Sequence, residues 1–276
     1  MSESRVVTVI EAKTPERHYW SDLWRYRELL YFLAWRDVLV RYKQTVFGVA
    51  WAVIRPLLTV IAFTIVFGRL AQLPSNDVPY IVLVFAALLP WQLFSTAFAE
   101  MGTSLLINAG VISKIYFPRM LVPLSVLAVA ILDFIIAALI FIPFMLWYSF
   151  YPDWRILTLP LFFAFATIAV LGPGLLMAAL TVKYRDLRYV VPFIVQVGLY
   201  ISPVGFSSSV VPEPYRLFYF LNPMAGVIEA FRWALLRGTN ELFVVGLAVS
   251  AFVSLLLLVL GIVVFRRAEE SFADLV

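Results

Sequence analysis

Six long apolar segments limit the fold of this chain more than any other feature. They cover residues 46–68, 79–98, 120–147, 157–181, 190–206 and 242–265. A helix needs roughly 20 residues to cross a bilayer, and most of these segments approach or exceed that length. Because backbone groups in lipid must be satisfied within the protein, long apolar runs favour helices over alternating barrel strands. The sequence therefore predicts an all-α integral membrane protein with six transmembrane helices.

The composition agrees with a membrane protein and argues against nucleic-acid binding. Apolar residues make up 63% of the chain and charged residues only 14%, whereas soluble domains carry about 25% charged residues. The net charge of +4 would suit a nucleic-acid partner, but Lys and Arg cluster at the ends of the apolar segments. Membrane topology produces that distribution, so we expect membrane lipids as partners and no nucleic acid.

Lys and Arg also predict the orientation of the chain. They lie before the first segment, in the connections after the second and fourth segments, and after the sixth. On the opposite side, the first connection has none between Gln72 and Tyr80, and the second has only Arg155. The positive-inside rule therefore places both termini in the cytoplasm. We expect a cytoplasmic region at 1–45 without a cleavable signal peptide, a transmembrane domain at 46–265 and a cytoplasmic tail at 266–276.

An amphipathic helix is predicted ahead of the first crossing, over residues 17–38. One face is mainly apolar and charged residues lie opposite, which is typical of a helix in the headgroup plane. Arg27 falls within the apolar face and would have to extend toward lipid phosphate. The candidate interfacial residues are Trp20, Trp24, Arg27 and Trp35. Two roles remain open: an anchor, or a helix that transmits force or frames a lateral opening.

Glycine and proline predict interruptions of the fourth and fifth crossings. Gly172-Pro173-Gly174 lies in the fourth, and Pro192 with Ser202-Pro203-Val204-Gly205 lies in the fifth. Proline removes an amide donor and glycine weakens a helix. Interrupted helices can mark a translocation path, although membrane helices also tolerate proline when neighbours satisfy the freed carbonyls.

The last extracytoplasmic connection, residues 207–241, predicts a re-entrant segment. It contains LFYFLNPMAGVI at 217–228, an apolar run too short to span a bilayer. Two half-helices meeting near Asn222-Pro223 would fit this pattern. The aromatic residues Tyr215, Phe218, Tyr219 and Phe220 are candidates for a path that stacks on sugars. An interfacial aromatic belt is the alternative.

Two charges, Arg55 and Asp133, lie well inside apolar segments. Each costs roughly 2.5 to 3.5 kcal/mol at mid-membrane, so a charged residue there faces a cavity, a partner or another charge. The two could pair with each other or line the substrate path.

Motifs for catalysis or cofactor binding are missing from the sequence. It contains no G-x-x-x-x-G-K-[ST], H-E-x-x-H or G-x-S-x-G, no cysteine, and a single histidine, His18. We therefore predict no enzymatic activity, metal or cofactor in this chain. Any nucleotide-driven work must be done by another chain.

Five motifs in order carry a resemblance to a known family. They are Arg41-Tyr42-Lys43-Gln44-Thr45 with Gly48, Trp51 and Pro56; Leu89-Pro90-Trp91; Phe117-Pro118-Arg119; Lys183-Tyr184-Arg185-Asp186; and Leu221-Asn222-Pro223-Met224. Together they resemble the membrane subunit of polysaccharide-exporting ABC transporters of the type-2 permease class. O-antigen permeases are the most similar in appearance, with capsule and teichoic-acid exporters as neighbours. Arg55 departs from the pattern, since a neutral polar residue such as Gln is expected before Pro56.

The resemblance implies a homodimer in the bacterial inner membrane that moves lipid-linked polysaccharide outward. Two copies of a separate ATPase subunit would hold ATP and Mg. Residues 108–120 look like a coupling helix that docks into the ATPase, with an ordinary linker as the alternative. The candidate coupling residues are Ile112, Lys114, Tyr116, Phe117, Pro118, Arg119, Lys183 and Arg185, and Trp91 joins the candidate substrate path. A type-2 exporter of small hydrophobic molecules and a membrane enzyme acting on lipid-linked sugars are the competing hypotheses.

Overall fold

A computed structural model describes residues 19–43, 48–74, 78–239 and 242–269 of the chain. Its α-helices are α1 (Tyr19–Arg25), α2 (Arg27–Lys43), α3 (Gly48–Phe63), α4 (Tyr80–Ile107), α5 (Ala109–Ile112), α6 (Leu121–Trp147), α7 (Leu159–Lys183), α8 (Leu187–Ile201), α9 (Glu213–Tyr219), α10 (Pro223–Leu235) and α11 (Val244–Glu269). A π-helical turn, Thr64–Leu70, extends α3, and a 3₁₀ turn, Trp154–Thr158, precedes α7. His18, most of the predicted tail and the rest of the N-terminal region lie outside the described residues.

Five helical stretches are long and apolar enough to cross a membrane. They are Val53–Leu70, Tyr80–Ile107, Leu121–Trp147, Trp154–Lys183 and Val244–Glu269. The predicted fifth crossing corresponds to α8, which has only 15 residues. At 1.5 Å per residue α8 is about 22 Å long, shorter than the hydrocarbon core of about 30 Å. It ends because Ser202 adopts extended backbone before Pro203.

The helix α4 lies at the centre of the bundle. It contacts α3, α6, α7, α8 and α10, and most of its side chains are buried. The ring of Phe85 packs 5.0 Å from that of Phe141 and 5.5 Å from that of Phe144 on α6, measured between centroids. Since lipid and leucine are equally apolar, close packing of this kind is a main source of association between membrane helices.

The helix α7 runs without interruption through Gly172-Pro173-Gly174, so the predicted break there is wrong. These glycines serve helix packing. A Cβ on Gly172 would lie 2.5 Å from the backbone nitrogen of Leu258, and one on Gly261 would lie 2.3 Å from the Gly172 carbonyl oxygen. A Cβ on Gly174 would lie 2.6 Å from the sulfur of Met101 on α4. Small residues allow membrane helices to approach at their backbones, and α11 therefore packs directly on α7.

Two short helices meet in the last long connection, as the pattern around Asn222-Pro223 predicts. The Asn222 side-chain oxygen accepts a hydrogen bond from the Met224 amide at 3.0 Å and caps α10. The hydroxyl of Ser250 on α11 donates to the Phe220 carbonyl at 2.7 Å. The helix α10 is buried against α4, α7 and α11.

The predicted amphipathic helix is divided into α1 and α2 at Tyr26. The helix α2 packs along α6 and buries Leu33. The aromatic side chains Trp20, Trp24 and Trp35 are exposed instead. Trp24 also stacks under the guanidinium of Arg27, which lies 5.4 Å from its ring centroid. Leucines thus attach this region to the bundle, while the tryptophans remain accessible to lipid.

Candidate functional site

The helices α3, α4 and α8 present polar side chains to the outside of the bundle. Arg55 on α3 and Gln196 on α8 are exposed, and Gln92, Thr96 and Thr103 on α4 are half-buried. Both α3 and α8 contact α4. These five residues lie within apolar segments, on two helices that both contact α4 and on α4 itself, and we call them the polar face. The sequence analysis missed the polar side chains on α4 and α8, although amide and hydroxyl groups inside apolar runs would have indicated them.

The outer surfaces of α6 and α11 differ from the polar face. The strongly exposed positions along these helices are apolar within the spans, for example Leu139 on α6 at 60% and Val259 on α11 at 61% exposure. Polar residues in membrane segments generally face a cavity or another protein surface, and apolar ones face lipid. The side chains of the polar face are therefore less suited to lipid than the apolar residues exposed on α6 and α11.

The two buried candidates for the substrate path support helix packing instead. Trp91 is 4% exposed and packs against Gly198 of α8, where a Cβ would lie 2.8 Å from the indole. Phe220 is 1% exposed, and its ring centroid lies 5.4 Å from that of Phe243. Neither side chain reaches the surface of the subunit.

The other aromatic candidates lie on α9. Tyr215 is 66% exposed and Phe218 is 71% exposed. Tyr219 donates a hydrogen bond from its hydroxyl to the Ile201 carbonyl at 2.9 Å, which joins α9 to the end of α8. Two aromatic side chains of the predicted path are therefore accessible on α9, which is joined to the end of α8.

Asp133 pairs with Arg41 in place of Arg55. The Arg41 guanidinium of α2 donates to Asp133 of α6 and to both side-chain oxygens of Glu100 on α4. The Tyr42 hydroxyl donates to the other Asp133 oxygen. Burial and this hydrogen bond raise the pKa of Tyr42, so the phenol remains a donor. We call these four residues the Arg41 cluster. Asp133 is predictable as a functional or paired charge from its place in an apolar segment, but its partner Arg41 is not, because it lies 92 residues away along the chain.

The loop between α4 and α6 has an outer and an inner side. Lys114, Ile115 and Tyr116 are exposed. Phe117 and Pro118 are buried, and so is Ile112 at the end of the single-turn helix α5. Of the predicted coupling residues in this loop, Lys114 and Tyr116 are exposed and can therefore reach a docked partner. The buried ones attach the loop to the bundle.

Several contacts place the predicted cytoplasmic segments at one end of the bundle. Gly174 lies against Met101, and Gly102 lies against Met177, so α4 and α7 run parallel. Their following connections, with exposed Lys183 and Arg185 in the second, emerge at the same end.

The N-terminal helices and the end of α11 reach this same end. The Arg36 guanidinium donates to the Asn108 side chain at 2.7 Å. The Arg119 amide donates to Glu269, the last residue of α11, at 2.6 Å. The grouping agrees with the distribution of Lys and Arg along the sequence.

A buried ion pair fixes the loop after α8 at the opposite end. The guanidinium of Arg232 is fully buried and donates to the carbonyls of Phe206 at 2.6 Å and Val204 at 2.9 Å. Glu229 lies 3.6 Å from Arg232 and accepts a hydrogen bond from the Ser208 amide at 2.9 Å. Because these charges satisfy each other and the loop carbonyls, they can be buried in α10. Their spacing of three residues in an apolar run was a signal that the sequence analysis did not use.

Residues 28–236 match the sequence profile of the ABC-2 type transporters. The chain belongs to this family, as the ordered motifs predict. Among its relatives, the O-antigen export system permease protein RfbA of Klebsiella pneumoniae is 27% identical over 254 residues, which cover 90% of this chain and 95% of the relative. The protein of the same name from Myxococcus xanthus is 24% identical over 255 residues, covering 92% and 97%. The polysialic acid transport protein KpsM of Escherichia coli is 23% identical over 241 residues, covering 86% and 92%.

Within the part of the chain that the structure describes, no group of three or more His, Asp or Glu side chains could hold a metal ion.

Proposed function

We propose that this chain is the permease subunit of an ABC exporter that moves a lipid-linked polysaccharide outward across the bacterial inner membrane. The observation that carries the proposal is the match to polysaccharide-transport permeases over at least 86% of this chain and 92% of each relative. The polar face supports it, because hydroxyl-rich polymers need hydrogen-bonding side chains along their route.

The proposed topology has six crossings with both termini in the cytoplasm. The fifth crossing consists of α8 and the residues that follow it. In support, the Tyr80 hydroxyl at the start of α4 donates to the Gly205 carbonyl, whereas α8 begins at the end of the bundle where α4 and α7 finish. The chain between Lys183 and Gly205 thus passes from one end to the other. The helices α9 and α10 would form the re-entrant segment.

The substrate path is proposed to form between two copies of the chain. A second copy would cover the polar face, and a two-fold symmetric dimer would bring the same face from each subunit together. Arg55, Gln92 and Gln196 would then hydrogen-bond to sugar hydroxyls. Tyr215 and Phe218 on α9 would stack on the sugars at the exit.

Each permease copy is proposed to dock on one of two ATPase subunits, which hold ATP and Mg. The docking surface consists of Lys114, Ile115 and Tyr116, with Lys183 and Arg185 beside them. An exposed aromatic next to exposed Lys and Arg suits an interface, since aromatic side chains are frequent binding hot spots.

Replacement of the amides on the polar face tests this function. Gln92→Leu with Gln196→Leu keeps side-chain size but removes the hydrogen bonds to sugar. We expect surface polysaccharide to fall at least about fivefold, since two neutral hydrogen bonds contribute roughly 1 kcal/mol or more in total. Membrane level and ATPase binding should be unchanged. The matched control, Leu139→Met with Val259→Ile on the lipid side, should export normally.

Deletion of the gene separates polysaccharide export from the alternatives. The proposal requires lipid-linked polysaccharide to accumulate inside the deleted strain and surface polysaccharide to disappear. A deleted strain with normal surface polysaccharide and a new sensitivity to small hydrophobic compounds would overturn it in favour of a drug-type exporter.

A further inference from the structure

The carboxylate of Glu269 joins three segments at the cytoplasmic end of the bundle. It accepts a hydrogen bond from the Arg119 backbone amide at 2.6 Å and one from the Tyr19 hydroxyl at 2.8 Å, each on a different oxygen. The Arg119 guanidinium donates to the Glu269 carbonyl. Glu269 therefore connects the end of α11, the loop after α4 and the start of α1. We call Glu269, Arg119 and Tyr19 the Glu269 junction.

The surroundings of the Glu269 junction hold its members in place. Tyr19 is 3% exposed, and the Arg266 guanidinium lies 4.4 Å from its ring centroid. Phe265, one turn before Glu269, is fully buried. Hydrogen bonds to an ionised carboxylate are shorter and stronger than neutral ones. The bond from the Arg119 amide also fixes the main chain of the loop and not merely a side chain.

The segment between the docking surface and the Glu269 junction is short and conformationally restricted. Only Phe117 and Pro118 lie between the exposed Tyr116 and Arg119, and both are buried. Proline fixes its own φ angle and restricts the residue before it. A displacement of Tyr116 is therefore transferred to Arg119 and, through Glu269, to α11.

The path continues into the bundle through close helix contacts. The helix α11 packs backbone to backbone on α7 at Gly172 and Gly261, and α7 packs on α4 at Gly174. Closely packed helices of this kind move as units or slide past one another and do not deform continuously. Movement of α11 would thus reach α4, which carries part of the polar face.

We propose that Glu269 is a positioning residue that makes the 113–120 loop, α1 and the end of α11 move as one body when the ATPase moves the loop. The proposal rests on the proposed docking of the ATPase at Tyr116. It assigns the transmission of movement to Arg119, Glu269 and Tyr19, and it removes Arg119 from the surface that touches the ATPase.

The test uses the assembled complex of permease and ATPase in proteoliposomes. Glu269→Ala should leave ATPase co-purification and basal ATP hydrolysis unchanged and lower the polysaccharide exported per ATP about tenfold. Glu269→Gln, which keeps the reach and one acceptor, should give a smaller loss. Arg267→Ala, an exposed change on the same turn of α11, is the matched control and should couple like the unmodified complex. An unchanged ratio of export to hydrolysis in Glu269→Ala overturns the proposal.

Spin labels measure the junction without relying on transport. The chain has no cysteine, so Ser113→Cys and Arg267→Cys place two labels on each copy of the permease, one on the loop and one on α11. The distance distribution should be narrow, and Glu269→Ala or Tyr19→Phe should broaden it. Equal distributions in all of these proteins would also overturn the proposal.

The same experiment separates this inference from the docking proposal. Tyr116→Ala should weaken co-purification of the ATPase, and Glu269→Ala should not. If Tyr116→Ala binds and couples normally while Glu269→Ala uncouples, the docking surface is wrong and the Glu269 junction stands. If Glu269→Ala loses the ATPase, Glu269 belongs to the docking surface and the positioning role is wrong.

Discussion

Arg41 joins α2 to α4 and α6 of the membrane bundle by ion pairs. Its guanidinium serves two carboxylates from two different helices, and Tyr42 supplies a further donor. Removal of one partner from a buried ion pair usually costs 3–5 kcal/mol because the other charge is left uncompensated. The Arg41 cluster is partly open, with side-chain exposures of 30% for Arg41, 40% for Glu100 and 27% for Asp133. Screening by solvent therefore reduces this cost.

We predict that Arg41→Ala destabilises the protein by roughly 2 kcal/mol, which lowers its unfolding temperature in detergent by about 5 °C. Adding Glu100→Gln and Asp133→Asn should recover most of the loss, because the excess negative charge is removed. Arg55→Ala is the matched control for loss of an arginine, at an exposed position outside the Arg41 cluster, and should leave stability nearly unchanged. Thermal stability followed by size-exclusion chromatography measures all three. An equal loss in Arg41→Ala and Arg55→Ala would contradict the assignment of Arg41 as the partner of Asp133.

For single helices and loops, the sequence predicted local features correctly but did not predict the roles of several glycine and aromatic residues. The pattern around Asn222 predicted the junction of α9 and α10 because capping chemistry is local. Gly172 was assigned to a helix break, yet its role depends on the approach of α11, which is distant in the chain. The sequence places Trp91 and Phe220 in the predicted path, but an aromatic side chain suits a core and a sugar site equally, and both are buried. Only tertiary packing separates these alternatives.

The accessible aromatic side chains of α9 give a prediction at the scale of this element. Tyr215→Ala with Phe218→Ala should lower surface polysaccharide per inserted subunit at least about fivefold, since each of the two lost aromatic contacts costs at least about 0.5 kcal/mol. Trp147→Ala with Tyr151→Ala is the matched control, because Trp147 is the last residue of α6, Tyr151 follows α6, and both are exposed. If all four aromatics form an interfacial belt, both double variants would instead reduce the amount of inserted protein equally. Quantification of surface polysaccharide and of membrane-inserted permease in the same cells decides between the two roles.

At the scale of the whole molecule, hydropathy and charge predicted the membrane class, the helical fold and the grouping of segments at one end of the bundle. Those properties depend on the total hydropathy and charge of many residues, so a wrong prediction for a single residue does not change them. The number of crossings depends on one short helix, α8, and length alone does not determine it. The contacts of the chain on either side of α8 say more about whether it crosses. The contact of Arg119 with Glu269 marks the end of the bundle near which α8 begins, and the contact of Tyr80 with Gly205, just after α8, marks the other end.

Cysteine labelling tests the six crossings and the sidedness of the chain in intact cells. Ser209→Cys, exposed in the connection after α8, should react with an impermeant maleimide from outside. Ser113→Cys and Arg267→Cys should react only after the membrane is opened. The absence of native cysteine removes background, and Ser209 replaces Ser75, which lies outside the described residues. If α8 did not cross, Ser209 would be protected and Arg267 would be labelled, because every segment after α8 would change sides. Six crossings with a cytoplasmic N-terminus require that Ser209 is labelled while Ser113 and Arg267 are protected. This pattern would place the proposed docking surface and the Glu269 junction in the cytoplasm, where ATP is available.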